Sequence, residues 1–137
     1  MIPHLYEKPV ETIMNKNLVA ASGETTVFEA AKLMKKHNIR SLLVGSKKEI
    51  VGILTERDII QKVLAERLNP AEVRIEEIMA VTLKTVYHST SVQKVYREMK
   101  EEGVRHLVVV DPSWPVGMVS VTDLICLEAR EAEEESW

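Results

Sequence analysis

Gly52-Ile53-Leu54-Thr55-Glu56-Arg57-Asp58-Ile59 returns sixty-five residues later as Gly117-Met118-Val119-Ser120-Val121-Thr122-Asp123-Leu124. Both stretches fit Gly-apolar-apolar-Thr/Ser-x-x-Asp-apolar. Working outward, Glu11–Ile60 overlays Glu76–Ile125 without a gap, with fifteen of fifty positions identical. Ile13-Met14 falls on Ile78-Met79, Val27 on Val92, Met34 on Met99 and Arg40 on Arg105. A fixed period without insertions marks one supersecondary unit used twice. Two copies of this length predict a closed pseudo-symmetric pair rather than a solenoid. At 137 residues the chain is expected to form one domain whose two half-size units share a core.

Each unit reads as an opening helical turn and then strand, helix, strand, strand, helix. The turns are Val10–Met14 and Ile75–Met79, and the first strands are Leu18–Ala21 and Leu83–Val86. Thr25 and Thr90 are the candidate N-caps of the next helix. Val27, Ala30, Ala31 and Met34 give that helix one apolar stripe, as Val92, Val95, Tyr96 and Met99 do in the second unit. Asn38 and Gly103 tolerate the left-handed conformation that ends a helix. Two β-branched hairpins follow, Ser41–Gly45 with Ile50–Leu54 and Leu107–Val110 with Val116–Val119. The last helix spans Glu56–Arg67, or Val121 onward. Strand one is predicted parallel to its neighbour because a helix separates them, and the hairpin strands antiparallel.

Composition excludes several functions. A hydrophobic share of 45% and a charged share of 28% exclude disorder for the body of the chain. A net charge of −3 without a Lys/Arg-rich stripe disfavours nucleic acid as a partner. The lone Cys126 fits a reducing compartment and reads as core rather than nucleophile. MIPHLYEKPVET lacks the marks of a signal peptide, and no apolar run approaches the ~18 residues of a membrane span. A cytoplasmic protein without a membrane partner is expected. His4, His37, His88 and His106 are scattered with no acidic partner at ligand spacing, so no metal is expected. Lys47-Lys48 reads as a solvated hairpin tip, and Trp114 as an exposed loop aromatic. No base–nucleophile pair suggests an enzyme.

The quoted stretch delivers a hydroxyl and, three residues on, a carboxylate to a helix N-terminus. Such a carboxylate can accept from both hydroxyls of a ribose. Thr or Ser at the N-cap with an acid at N3 also resembles a capping box. Arg40 and Arg105 begin the strand whose hairpin partner ends at that stretch, so guanidinium, hydroxyl and carboxylate are expected at one sheet edge. The set suits a nucleotide; the alternative is an Arg–Asp salt bridge without a ligand.

The opening Ile-Met, the helix Val27-Phe28-Glu29-Ala30-Ala31-Lys32-Leu33-Met34, the entry Ile39-Arg40-Ser41-Leu42-Leu43-Val44 and the closing Gly-Ile-Leu-Thr-Glu-Arg-Asp-Ile follow in order, twice. Together they resemble a tandem pair of CBS domains, the Bateman module, over about Val10–Arg130. The resemblance implies an α/β fold of two pseudo-symmetric β-α-β-β-α repeats packed as an intramolecular pair. Repeat one would span 8–69 and repeat two 70–130, with an acidic tail at 131–137. It implies a free-standing regulatory module, not an enzyme, that requires no cofactor and acts on a protein partner. Its ligand would be AMP, ADP or ATP, or NAD or S-adenosylmethionine, held in two clefts.

By position, Asp58 and Asp123 would read ribose, with Thr55 and Ser120 beside them. Ile53 and Met118 would line an adenine slot, and Arg40, Arg105 and His106 would face phosphates. Arg57, which Thr122 replaces in unit two, would reach across to the other cleft. The Asp123 cleft is then expected to bind tighter, and to weaken above about pH 7 as an imidazole loses its charge. The alternatives are a structural oligomerisation module with vestigial clefts and, disfavoured by the acidic balance, a nucleic-acid-associated CBS protein. Ile59, Ile60, Val63 and Leu64, with Leu124, Ile125 and Leu127 as pseudo-mates, predict a homodimer through these helices.

Overall fold

The computed structural model describes residues 6–46, 48–81 and 83–125. His4, Lys47, Cys126 and the tail 131–137 lie outside them. The chain divides into two compact units, one of Leu18–Leu83 and one joining Met1–Asn17 to Lys84–Trp137.

In the Leu18–Leu83 unit, β1 (Ala20–Ala21), α1 (Val27–His37), β2 (Ser41–Gly45) and β3 (Ile50–Thr55) lead into α2 (Glu56–Ile59). The other unit holds a 3-10 turn Val10–Thr12, β4 (Thr85–Tyr87), α3 (Val92–Glu102), β5 (His106–Val110) and β6 (Pro115–Ser120). Residues 121–125 are helical. Each unit has a three-stranded sheet, β1-β2-β3 or β4-β5-β6. The first pair is parallel and the second antiparallel in both, as the connections dictate.

Amphipathic spacing explains the helices. Val27, Ala30 and Met34 are the buried residues of α1, and Val92, Val95 and Met99 those of α3. Both helices end on left-handed residues, Asn38 with φ 52° and Gly103 with φ 66°. Leu42, Leu43 and Val44 are all buried in succession, so β2 is covered on both faces.

The caps fall one residue later than expected. Thr26 Oγ1 accepts from Glu29 N at 3.2 Å, and Ser91 Oγ from Lys94 N at 3.2 Å. Thr25 and Thr90 are engaged in the preceding turn, donating from N to Ser22 O and Tyr87 O, each at 3.0 Å. The first strands are also shorter and later than expected. Pairing begins only at Ala20, opposite Leu43, and at Thr85, opposite Val108.

The buried described residues gather into two core clusters, one in each unit. One gathers Val27, Ala30, Leu42, Val44, Leu54 and Val63 with Ile75 and Ile78. The other gathers Val86, Val92, Val95, Leu107, Val109 and Val119 with Tyr6 and Val10. The opening turn of each sequence repeat therefore completes the other repeat's core. Val10 N donates to Thr90 O at 2.7 Å, and Ile75 N to Thr25 O at 2.8 Å. Beyond each turn the backbone adds a bridge to the hairpin, Asn15 to Met118 and Ala80 to Ile53. The structural units thus cross the 8–69 and 70–130 boundaries of the sequence repeats.

The last helix of the Leu18–Leu83 unit is not the regular Glu56–Arg67 helix expected. After α2 it widens into a π turn, Ile60–Leu64, with Ala65 N donating to Ile60 O at 2.9 Å. Arg67, at φ 58°, lies beyond its end.

His88 has the acidic partners that its sequence neighbourhood did not reveal. Its Nδ1 lies 2.6 Å from Glu11 Oε2 and its Nε2 3.5 Å from Asp111 Oδ1. In the other unit Gly23 takes the matching place, and a Cβ there would come within 2.7 Å of Glu76 Oε2. His88 thus ties the opening turn to the end of β4. His88→Ala is expected to lower stability by about 0.5–1 kcal/mol, since both carboxylates are partly solvated. An unchanged urea midpoint would show that the contact contributes nothing. Among the described residues no three His, Cys, Asp or Glu side chains are grouped to hold a metal. No helix there is long and apolar enough to cross a membrane.

Candidate ligand site

The closing motif of each repeat sits where a strand hands over to a helix. In the Leu18–Leu83 unit, β2 starts opposite the end of β3, with Ser41 paired to Thr55, and Glu56 N donates to Arg40 O at 3.1 Å. In the other unit His106 pairs with Ser120, and Val121 N donates to Arg105 O at 3.0 Å. The antiparallel hairpin therefore brings the backbone of each arginine beside its motif.

Asp58 is held in a capping box. Its Oδ2 accepts from Thr55 N at 3.0 Å and from Thr55 Oγ1 at 3.1 Å, and Thr55 Oγ1 accepts from Asp58 N at 3.3 Å. Asp123 Oδ2 accepts from Ser120 N at 3.1 Å, and Ser120 Oγ accepts from Asp123 N at 3.1 Å. The capping reading is therefore real in both repeats. It is compatible with binding, because the cap engages only Oδ2 of each carboxylate.

The side chains around the carboxylates differ from expectation. Asp58 pairs with Lys62, Nζ to Oδ1 at 3.2 Å, and no ion pair joins it to Arg40 among the described residues. Lys62 Nζ also donates to Ile78 O at 2.9 Å. Arg40 is exposed and lines a groove of about 390 Å³ with Met34, Lys35, Ile39, Glu56 and Ile60, to which Asp58 does not contribute. Sequence reasoning missed Lys62, although its i,i+4 offset from Asp58 was the available signal.

The remaining candidates are distributed around this frame. Ile53 is 8% exposed, and its N and O both bond to Ala80, at 2.9 Å each. Met118 is half-buried and bonds in the same way to Asn15. Arg57, Arg105 and Asp123 are exposed, whereas His106, Ser120 and Thr122 are half-buried. The glycines of the motif have a steric cause. A Cβ on Gly52 would come within 2.8 Å of Ala80 O and into the Met79 side chain, and one on Gly117 would run into Met14. The Met of the opening Ile-Met thus rests on the Gly of the closing motif from the other repeat.

Two units of one topology, each with a hydroxyl–carboxylate motif at its strand–helix junction, define a tandem α/β repeat. The CBS domain model matches the chain twice, at residues 10–65 and 75–129. The chain belongs to the CBS-domain family. It is 34% identical over 122 residues to an uncharacterised protein of Methanocaldococcus jannaschii, covering 87% of this chain and 65% of that one. To the CBS domain-containing protein YhcV of Bacillus subtilis it is 30% identical, covering 84% and 81%. The chain spans about three fifths of the length of several curated relatives, 62% for one from Methanopyrus kandleri.

Among solved structures, an uncharacterised conserved protein of Pyrococcus horikoshii matches with TM-score 0.81 and 29% identity, covering 90% of this chain and 93% of that one. The CBS domain pair of protein MJ0100, in complex with 5′-methylthioadenosine and S-adenosyl-L-methionine, matches with TM-score 0.77 and 31% identity, covering 90% and 97%.

Proposed function

We propose that the chain is a non-catalytic sensor that binds an adenosyl ligand and passes its occupancy to a protein partner. The observation that carries this reading is the carboxylate held by backbone N–H at the same junction in both repeats. A pre-oriented carboxylate acceptor of this kind suits the two hydroxyls of a ribose. The adenosyl ligands of the MJ0100 pair support the same ligand class.

In this reading Asp58 and Asp123 accept the ribose hydroxyls beside Thr55 and Ser120. Ile53 and Met118 offer the apolar surface for the base. Arg40, Arg57, Arg105, His106 and Thr122 meet the phosphate or aminoacyl end. Assembly is proposed as a homodimer: Ile60 and Ile125, equivalent in the repeat, are 56% and 58% exposed, each an apolar side chain that a second copy would cover. Hexameric CBS-CP12 from cyanobacteria, at TM-score 0.79 and 34% identity, is a larger assembly within the family.

A thermal-shift panel of AMP, ADP, ATP, NAD and S-adenosylmethionine tests the ligand claim. A ligand at 100 times its Kd adds about 2.7 kcal/mol, a readily visible rise in Tm. No rise with any of the five would leave the chain a structural oligomerisation module.

A further inference from the structure

We infer that Lys62 is an internal competitor for the Asp58 carboxylate, so that the repeats fill in order, the Asp123 site first and the Asp58 site only as Lys62 yields. This deepens, and rests on, the reading of the two aspartates as diol acceptors.

Counting acceptor positions carries the inference. An ionised carboxylate offers about four lone-pair positions, and a bidentate diol takes two. At Asp58 three are engaged: two on Oδ2 by Thr55 N and Oγ1, and one on Oδ1 by Lys62 Nζ at 3.2 Å. One position remains, too few for two hydroxyls. Among the described residues Asp123 receives a single bond, from Ser120 N at 3.1 Å. The sequence has Leu127 at the offset where Asp58 has Lys62, so this repeat carries no lysine at the i,i+4 position.

Lys62 is also anchored on a second side. Its Nζ donates to Ile78 O at 2.9 Å, and the residue lies in the π turn Ile60–Leu64 rather than on a regular helix. The ammonium is thus held between a carbonyl and the carboxylate. Its side chain is 48% exposed against 15% for Asp58, so the ammonium is the partner that can swing into solvent. Double-mutant cycles on solvent-accessible ion pairs correspond to about two- to fivefold in an equilibrium constant.

Calorimetric titration of AMP, and separately of S-adenosylmethionine, tests this in backgrounds that leave one site. In Asp123→Asn, where the Asp58 site remains, adding Lys62→Met is expected to tighten binding about two- to fivefold. In Asp58→Asn, where the Asp123 site remains, the same change is expected to leave affinity unaltered. Lys62→Gln should act as Lys62→Met does, which separates charge from side-chain shape. Equal or weaker binding in Asp123→Asn/Lys62→Met, with binding still dependent on the aspartates, overturns the inference alone and makes Lys62 a ligand contact or a bystander. Absence of binding in the wild type, or wild-type binding in Asp58→Asn/Asp123→Asn, overturns the diol reading and this inference with it.

Discussion

Removing residues 1–15 should unfold the unit that carries Asp123, although every residue of sequence repeat two remains in the chain. Val10 is fully buried in that unit's core and Tyr6 is 9% exposed there. Burying each is worth about 1.5–3 kcal/mol. The deletion also removes the Val10–Thr90 bond, the paired bonds between Asn15 and Met118, and the Glu11 contact to His88. The loss of several kcal/mol compares with a total stability of about 5–15 kcal/mol for a domain. Hydrogen exchange read by mass spectrometry over β5 and β6 should show protection collapsing there. Undiminished protection of residues 106–119 would mean that the opening turn is dispensable to this core.

Gly117→Val should destabilise the same unit by about 1–3 kcal/mol, the usual range for overpacking. The new Cβ would meet the Met14 side chain and approach Asn15 O to 3.1 Å. Because the obstacle is largely the end of one side chain, Met14→Ala in the same protein should recover part of the loss. The two changes should therefore be non-additive in a double-mutant cycle. Gly52→Val should be recovered less by Met79→Ala, because the backbone Ala80 O also lies 2.8 Å from the new Cβ. Strict additivity of Gly117→Val and Met14→Ala in urea midpoints would show that the Gly–Met contact is not the cause.

The topology of each unit was legible because it follows from local rules. The stripe Val27, Ala30, Met34, the left-handed stops at Asn38 and Gly103, and the tight hairpins fix strand direction and helix position. Three features were not legible, each for a physical reason. Val10 and Ile75 look alike in the repeat, so nothing local says which core each one joins. Adjacent hydroxyls at Thr25-Thr26 and Thr90-Ser91 satisfy the same capping rule, and the turn geometry chooses between them. The π turn at Ile60–Leu64 has no sequence period of its own.

Of the candidate site, the Thr55–Asp58 and Ser120–Asp123 pairs stand where their spacing put them. Arg40 joins its motif through the backbone, while the cation on Asp58 is Lys62. A long flexible side chain can reach several partners, and spacing alone does not select one. His88 shows the same limit, with its Glu11 partner supplied from the far end of the chain.

The central claim, that Asp58 and Asp123 receive the ribose hydroxyls of an adenosyl ligand, is tested most directly by Asp58→Asn/Asp123→Asn. Asparagine keeps a carbonyl to accept from Thr55 N and Ser120 N, so the caps survive while the charged acceptor is lost. Titrating S-adenosylmethionine and AMP calorimetrically into wild type and this variant should show binding of at least one in the wild type. In the variant that binding should weaken by about 1.5–3 kcal/mol, the usual loss for a hydrogen bond to a charged group. Wild-type affinity in the double variant would contradict the claim.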